Sequence, residues 1–275
     1  MNINIINNYS KVKLSLFIVP TFFLIAIVVF LYKEDALYAD RYVQIQKDCF
    51  FFLNSKLSQF PDTLLNLTQL GNEIVVLSIL SIFIIYAPKI WECLISASLV
   101  SCIISISLKR IFSVPRPSMV FDNNSFVIIG KKLTGYSSLP SGHSITVFTV
   151  LTVLLFAFMP QRLKNKILWF IFIIVAGLIL VFTRVGVGAH YPLDVIIGGT
   201  IGYISGLLGI LINEKYKIWT WVNNKKYYPI IIGLFLICGI SLVSRILSEN
   251  LIIFYLSLIT LVISLYKTIN VYVKK

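Results

Sequence analysis

Residues 183–212 read TRVGVGAHYPLDVIIGGTIGYISGLLGILI, a stretch that joins a charged segment to a long apolar run. The run Val195–Ile212 is long enough to cross a membrane, which takes about 20 mostly apolar residues. Arg184, His190 and Asp194 stand directly before it. Such groups are costly near lipid and usually serve a function. The stretch therefore predicts a membrane helix with a polar site at one end.

The composition of the whole chain also indicates a polytopic membrane protein. Hydrophobic residues make up 58% of the 275 residues and charged residues 13%, against about 45–50% and about 25% in soluble domains. The mean hydropathy is +0.90. A net charge of +13 would suggest nucleic acid in a soluble protein, but here it fits basic loops at anionic headgroups. We therefore expect the lipid bilayer as a partner and no nucleic acid.

The chain offers no evident metal or redox motif. Its four cysteines form no CxxC motif and no cluster with histidine, which leaves a zinc or redox site with little support. The sequence contains no cluster of carboxylates that could form a magnesium or calcium binding site. We expect neither a metal nor another cofactor.

Eight apolar stretches predict an all-α bundle of about eight membrane helices. The last two stretches are joined by Ser248–Asn250 and predict a helical hairpin. The predicted parts are a cytoplasmic tail with the first helix (1–32), an outer amphipathic segment (33–73), a core (74–212), and a cytoplasmic loop with the hairpin (213–275). The stretches are Leu14–Tyr32, Ile74–Ala87, Trp91–Leu108, Ser144–Met159, Ile167–Phe182, Val195–Ile212, Pro229–Leu247 and Leu251–Tyr266.

The distribution of charge sets the predicted orientation. With the N-terminus in the cytoplasm, the short inner segments are basic, as cytoplasmic loops usually are, and Glu214 is the only acid among them. The segments 109–143 and 183–194 then share the outer side. Arg245 falls on that side too, and the sequence suggests no role for it. The inner cations are Lys11, Lys13, Lys89, Arg162, Lys164, Lys166, Lys215, Lys217, Lys225, Lys226, Lys267, Lys274 and Lys275.

The outer segment contains the aromatic and amphipathic stretch CFFFLNSKLSQF at 49–60. A stretch of this kind can lie in the outer membrane interface. It can equally pack on the helical core, and the sequence leaves both possibilities open.

A second polar cluster, KRIFSVPRP at 109–117, ends the third apolar stretch. Lys109 and Arg116 are seven residues apart, or two helical turns, so the spacing predicts that they share one helix face. Pro115 and Pro117 then turn the chain. A lysine at a helix end usually only reaches the headgroups, so this cluster alone is weak support for a binding site.

The third polar cluster, LPSGHS at 139–144, stands just before the fourth stretch. Ser141 is a suitable N-cap, and the free N–H groups of a helix start form a ready anion site. Gly142 would let a bulky oxyanion approach the backbone, with His143 beside it in the first turn. The alternative is an ordinary capped helix with an interfacial histidine.

In the opening stretch, Pro192 suits the first position of a helix, so a helix start near Tyr191 is predicted. Asp194 falls in its first turn, where the helix dipole favours an acid in any case. His190 and Asp194 are four residues apart and share a face if the helix reaches back to His190. A carboxylate beside an imidazole fixes its tautomer and stabilises its cationic form.

Each cluster has an ordinary structural explanation, but no such explanation covers all of them. Together they bring three cations, a helix start, an aspartate and the only two histidines of the chain to one membrane face. Cations with backbone donors define a site for a dianionic oxyanion, which indicates phosphate. A histidine with an acid partner is an activated nucleophile, and the second histidine is placed to act as an acid.

These residues resemble the motifs of a known family. The patterns K-x6-RP at 109–117, PSGH at 140–143 and R-x5-H-x3-D at 184–194 look like the three motifs of the type-2 phosphatidic acid phosphatase family, in the right order. The resemblance covers roughly residues 50–212 and implies a six-helix core, with the C-terminal hairpin outside it. One departure is Thr183, where the third motif often has serine.

The resemblance also implies a role for each matching residue. His190 would attack the phosphorus and form a phosphohistidine, and Asp194 would hold and activate it. His143 would protonate the leaving oxygen and later assist the attacking water. The phosphoryl oxygens would be held by Lys109, Arg116, Ser141, Gly142 and Arg184.

The expected function is that of a metal-independent lipid phosphatase. It would act at the periplasmic or outer face of the inner (cytoplasmic) membrane, most readily on undecaprenyl diphosphate or phosphatidylglycerol phosphate. A lipid A phosphatase or a lipid-to-lipid phosphotransferase would use the same site. A lipid or ion transporter is less favoured, because transport would place polar residues at mid-span rather than at helix ends.

Overall fold

The computed structural model describes residues 1–274 and is built of helices and their connections. No β-strand occurs in that part of the chain, which agrees with the predicted all-α bundle. Lys275, one of the predicted inner cations, lies outside the described residues. The α-helices are α1 (Asn2–Tyr9), α2 (Ile18–Lys33), α3 (Ala39–Gln44), α4 (Lys47–Leu57), α5 (Pro61–Thr68), α6 (Glu73–Leu80), α7 (Phe83–Tyr86), α8 (Pro88–Phe112), α9 (Pro117–Val120), α10 (Gly142–Ala157), α11 (Leu163–Gly186), α12 (Pro192–Tyr216), α13 (Tyr228–Glu249) and α14 (Ile252–Val273).

Six helical segments within residues 1–274 are long and apolar enough to cross a membrane. They contain α2, α8, α11, α12, α13 and α14, and each overlaps one of the predicted stretches. The predicted fourth span corresponds to α10, which has 16 residues. At about 1.5 Å per residue, α10 is roughly 24 Å long, shorter than a hydrocarbon core of about 30 Å.

The predicted second span, Ile74–Ala87, consists of two helices, α6 and α7, which are separated at Ser81 and Ile82. The chain turns by 77° between the helical segment Pro61–Gly71 and α6. Asn72 makes this break, because its Oδ1 accepts a hydrogen bond from the Ile74 N–H at 3.1 Å and so caps a new helix. The prediction of eight spans is therefore not confirmed. The described chain has six long helices, one bent pair and the shorter α10.

Helices α8, α10 and α12 form the centre of the bundle, and α12 packs closely against the other two. Gly198, Gly202 and Gly206 recur every four residues on α12, so they lie on one face. A Cβ at Gly202 would come within 2.4 Å of the Ile145 carbonyl oxygen. Farther along, a Cβ at Gly209 would come within 2.4 Å of the Ala97 Cβ. Small residues allow this approach, as in other membrane helix pairs.

The outer segment packs on the helical core, which answers the question left open by the sequence. Phe50 of α4 is fully buried, whereas Phe52 is 61% exposed. The Asn54 side-chain amide donates to the carbonyl oxygens of Val185 and Gly186 at 3.1 and 3.0 Å. The segment therefore covers the end of α11 with one face and leaves its other face exposed.

The opposite, predicted inner end of the bundle is closed by an ionic cluster and by α1. Lys89 at the start of α8 lies 2.9 Å from Glu214 near the end of α12 and 3.3 Å from Glu92. Tyr9 of α1 is fully buried, and its hydroxyl donates to the Val153 carbonyl oxygen at 3.2 Å. These contacts tie the inner ends of α8, α10 and α12 together.

The C-terminal hairpin is confirmed as α13 and α14. Asn250 joins the two helices in a left-handed conformation with a φ of 49°. The hydroxyl oxygens of Ser264 on α14 and Ser81, just after α6, are 2.7 Å apart. At the tip, the Ile253 N–H donates to Asn66 Oδ1 on α5 at 3.0 Å. The hairpin is therefore fixed to the rest of the bundle at its tip as well as along its length.

Candidate active site

Lys109 and Arg116 reach the site from different local structures. Lys109 is in the last turn of α8, which ends at Phe112, and Arg116 has an extended backbone just before α9. The prediction that the two share one helix face is therefore wrong, because Ser113 takes a left-handed conformation and ends the helix before Arg116. Arg116 nevertheless points to the third motif, with its Nη1 3.0 Å from the Ala189 carbonyl oxygen.

The second motif begins α10 as predicted. Ser141 is the N-cap, and its hydroxyl accepts hydrogen bonds from the Ser144 N–H and hydroxyl at 3.4 and 2.9 Å. A Cβ at Gly142 would come within 3.1 Å of Lys109 Nζ. The ammonium group of Lys109 therefore lies against the first turn of α10, and the missing side chain of Gly142 makes room for it.

Arg184 holds a buried position with a donor left over. Its side chain is near the end of α11 and is only 6% exposed. Nη1 donates to the Thr68 hydroxyl on α5 at 2.9 Å. Nε is buried and has no hydrogen-bond partner among residues 1–274. A buried guanidinium donor without a partner is unfavourable unless an anion accepts its hydrogen bond, so Arg184 is suited to bind one.

His190 lies between a carboxylate and a guanidinium cation. The helix α12 begins at Pro192 with Tyr191 as its N-cap, as predicted, so it does not reach back to His190. Even so, His190 Nδ1 is 3.4 Å from Asp194 Oδ2, an ionic contact without the alignment of a hydrogen bond. Its other nitrogen, Nε2, is 3.2 Å from Arg116 Nη1. The imidazole thus turns Nδ1 to the acid and Nε2 to the cations.

Asp194 is held by donors that the motifs do not include. It is fully buried, and its Oδ1 accepts a hydrogen bond from the Tyr42 hydroxyl at 2.8 Å. Its Oδ2 accepts from the Ser138 hydroxyl at 2.6 Å and from the Tyr191 N–H at 3.0 Å. These three donors fix the carboxylate beside His190. Tyr42 is 152 residues away in the sequence, so no local spacing points to this contact.

The electrostatic environment keeps His190 neutral and Tyr42 protonated. Burial lowers the pKa of His190 well below its ordinary value of 6.5, and the nearby cations Arg116, Arg184 and Lys109 lower it further. Burial also raises the pKa of the Tyr42 hydroxyl well above 10.0, and the Asp194 carboxylate adds to this effect. His190 can therefore act as a nucleophile, and Tyr42 stays a hydrogen-bond donor.

Two cavities meet at His143. The first, of about 450 Å³, is also lined by Arg184, Thr68 and the 187–189 turn. The second, of about 310 Å³, lies between α6, α8 and α10 and is lined by Lys109 and Gly142. Four of the eight predicted site residues line these cavities: Lys109, Gly142, His143 and Arg184. Arg116, His190 and Asp194 are joined by the contacts described above, and Ser141 is buried as a helix cap. The first cavity also has charged residues that the sequence did not connect with the site: Lys131, Arg245 and Glu249.

Comparison with known proteins identifies the family of the chain. Residues 90–218, which include all three motifs, match the PAP2 superfamily model. An undecaprenyl-diphosphatase of Sulfolobus acidocaldarius is 30% identical over 154 residues, covering 55% of this chain and 70% of that protein. The crystal structure of LpxE from Aquifex aeolicus aligns with a TM-score of 0.49 and 26% identity, covering 61% of this chain and 95% of that one.

Proposed function

Because the chain belongs to the PAP2 superfamily, we propose that it is a lipid phosphatase that removes the terminal phosphate of a membrane lipid through a phosphohistidine at His190. The observation that carries the proposal is the orientation of His190. Its Nδ1 lies 3.4 Å from the buried Asp194, and its Nε2 lies 3.2 Å from Arg116. A phosphate bound by the cations would meet the nitrogen that can attack it.

In the first step, His190 Nε2 attacks the phosphorus, and the bond between phosphorus and the leaving oxygen breaks. His143 donates a proton to that oxygen, and Asp194 stabilises the charged phosphohistidine. In the second step, a water molecule attacks the phosphorus while His143 takes up its proton. The N–P bond breaks, inorganic phosphate leaves, and His190 returns to its starting state.

Fixed charges would stabilise the transferring phosphoryl group in both steps. Lys109, Arg116 and Arg184 would face its oxygens, together with the Gly142 N–H at the start of α10, which Ser141 caps. Preorganised donors of this kind are usually the largest contribution to such catalysis. In many phosphoryl-transfer enzymes a metal ion supplies this charge. We propose that here the side chains supply it, which makes the reaction metal-independent.

The proposed substrate is undecaprenyl diphosphate or phosphatidylglycerol phosphate, met at the outer or periplasmic face of the cytoplasmic membrane. The first of these is the substrate in the name of the Sulfolobus relative. The choice of face is supported by the basic inner loops, which leave the polar site on the other side.

The first test is phosphate release by the purified protein in detergent from a panel of diphosphate and monophosphate lipids. We expect release that persists in excess chelator and is lost in the His190→Ala variant. Loss of release in chelator would contradict the metal-free mechanism, and turnover by the variant would contradict the nucleophile. Mass analysis of the lipid products would reveal transfer to a second lipid instead of water.

A separate test concerns the membrane face. Ser125 is exposed in the loop that follows α9, on the same side as the site. In a cysteine-free background, Ser125→Cys should react with a membrane-impermeant thiol reagent added to intact cells. Protection of this cysteine until the membrane is opened would reverse the proposed orientation.

A further inference from the structure

The C-terminal hairpin supplies a cation to the active-site cavity. Arg245 on α13 lines the cavity of about 450 Å³ that also holds His143 and Arg184. This arginine lies outside residues 90–218, the part of the chain that matches the family. The hairpin is therefore part of the wall of the site as well as an addition to the bundle.

Arg245 is held in place by the hairpin itself. Its guanidinium carbon is 5.8 Å from the centre of the Phe254 ring on α14, and Phe254 is fully buried. The preceding residue, Ile253, donates its N–H to Asn66 on α5 at 3.0 Å. The same short helix carries Thr68, the partner of Arg184. Through α5, the tip of the hairpin and the predicted phosphate-binding arginine have a common support.

Arg245 makes no ion pair with a carboxylate of the described chain, residues 1–274. Glu249 lines the same cavity, yet no carboxylate in the described chain, residues 1–274, lies within 4.0 Å of the Arg245 guanidinium. Lys131 adds a second positive charge to the lining. A half-buried guanidinium that faces a cavity and has no carboxylate within 4.0 Å is suited to receive an anion from a ligand.

We propose that Arg245 binds a second phosphate of the substrate, the one that stays on the lipid after the terminal phosphate has moved to His190. This inference rests on the proposed function. His143, the proposed donor to the leaving oxygen, lies on the wall of the same cavity, so the group beyond that oxygen is within the space that Arg245 lines. Arg245 is then a specificity residue that selects lipids with two phosphates over lipids with one.

Two lipid classes have this chemistry. In a lipid diphosphate the second phosphate is attached directly to the leaving oxygen, and in phosphatidylglycerol phosphate it is separated from it by a glycerol unit. Phosphatidic acid has no second phosphate and serves as the reference. The Arg245→Gln variant should lower kcat/KM by about 10- to 100-fold for a two-phosphate lipid, the effect of losing one charge-assisted hydrogen bond. For phosphatidic acid it should stay within about twofold of the wild type.

Two further variants control for charge and packing. Arg245→Lys keeps the charge and should recover part of the lost activity on two-phosphate lipids. Lys267→Gln removes one positive charge from α14, where Lys267 contacts Tyr86 and does not line the cavity. It should leave the ratio of kcat/KM between two-phosphate lipids and phosphatidic acid unchanged. A loss limited to the lipid diphosphate, or limited to phosphatidylglycerol phosphate, supports the proposal and identifies which spacing Arg245 recognises.

Other outcomes would overturn the proposal. An equal loss of kcat/KM on all three lipids in Arg245→Gln would mean that Arg245 only supports the hairpin. Wild-type kcat/KM on all three lipids would mean that Arg245 does not touch the substrate. As a readout that needs no turnover, methylenediphosphonate binding is measured in His190→Ala, where Arg245→Gln should weaken it by at least about 10-fold relative to methylphosphonate. A wild type that releases phosphate equally from all three lipids refutes the second-phosphate site alone. A wild type that releases none refutes the proposed function.

Discussion

Removing the Tyr42 hydroxyl tests whether a buried carboxylate positions the nucleophile. In Tyr42→Phe, Asp194 Oδ1 loses the 2.8 Å hydrogen bond from the tyrosine and keeps the donors Ser138 and Tyr191 on Oδ2. A hydrogen bond to a charged group contributes about 1.5–3 kcal/mol. Because two donors remain, we expect the lower end of this range, and about 1.4 kcal/mol corresponds to a tenfold change in rate.

The assay is steady-state phosphate release combined with rapid-quench measurement of phosphohistidine. We expect kcat to fall about tenfold in Tyr42→Phe, with KM within about twofold, because Tyr42 does not line either cavity at His143. Phosphohistidine formation should slow by the same factor, since the substitution acts only through Asp194. A Tyr42→Phe enzyme with the wild-type rate would show that Asp194 is held without this hydroxyl.

Tyr9→Phe is the matched control for this experiment. Tyr9 is also fully buried, and its hydroxyl also makes one hydrogen bond, to the Val153 carbonyl oxygen at the inner end of the bundle. This variant should lose about 0.5–1.5 kcal/mol of stability without a change in kcat. If both phenylalanine variants lower kcat equally, the effect is a general loosening of the bundle, and the positioning role of Tyr42 is refuted.

Three further predictions follow from the site and the packing around it. Burial and the three cations lower the pKa of His190 below 6.5, so this nucleophile is neutral at neutral pH and becomes protonated only in more acidic solution. The acid limb of the pH profile of kcat/KM that is assigned to His190 should therefore lie below pH 6.5. A limb at pH 7 or above would contradict the assignment. Gly142→Ala would place a Cβ 3.1 Å from Lys109 Nζ and displace the ammonium group; we expect kcat/KM to fall at least about tenfold with little change in melting temperature, as for the loss of one charged contact. Gly209→Ala would place a Cβ 2.4 Å from the Ala97 Cβ, so α8 and α12 must separate. Thermal unfolding in detergent should show that the free energy of unfolding falls by about 1–3 kcal/mol. An unchanged melting temperature would mean that the two helices adjust freely.

The sequence predicted those parts of the molecule that depend on short-range patterns. Apolar length predicted the long helices, and the N-cap Ser141 and the helix start at Pro192 follow from local backbone chemistry. The motifs end up together because each stands at a helix end on the same side of the bundle. The grouping of Lys109, Arg116 and His190 could therefore be predicted once the orientation was set.

Other features depend on contacts between distant parts of the chain. The second predicted span is divided into α6 and α7 at Ser81, whose hydroxyl contacts Ser264 on α14, although the run looks continuous by hydropathy. Arg116 reaches His190 from an extended segment, so a helical spacing argument gave the right neighbours for the wrong reason. Tyr42 and Arg245 enter the site from elements that carry no motif, and only the packed structure brings them there.

The glycine face of α12, formed by Gly198, Gly202 and Gly206, limits where mutations can change the substrate preference of this protein. Asp194 stands at one end of that helix, and any side chain added at Gly198, Gly202 or Gly206 would push the helix off α10. The interior of the bundle therefore has little tolerance for variation, because displacing α12 also displaces the acid behind His190. Residues 121–136 and the C-terminal hairpin do not pack against the glycine face of α12 and are under no such constraint. In directed evolution toward a new headgroup, we expect accepted mutations to accumulate in those two elements and to be rare on the glycine face.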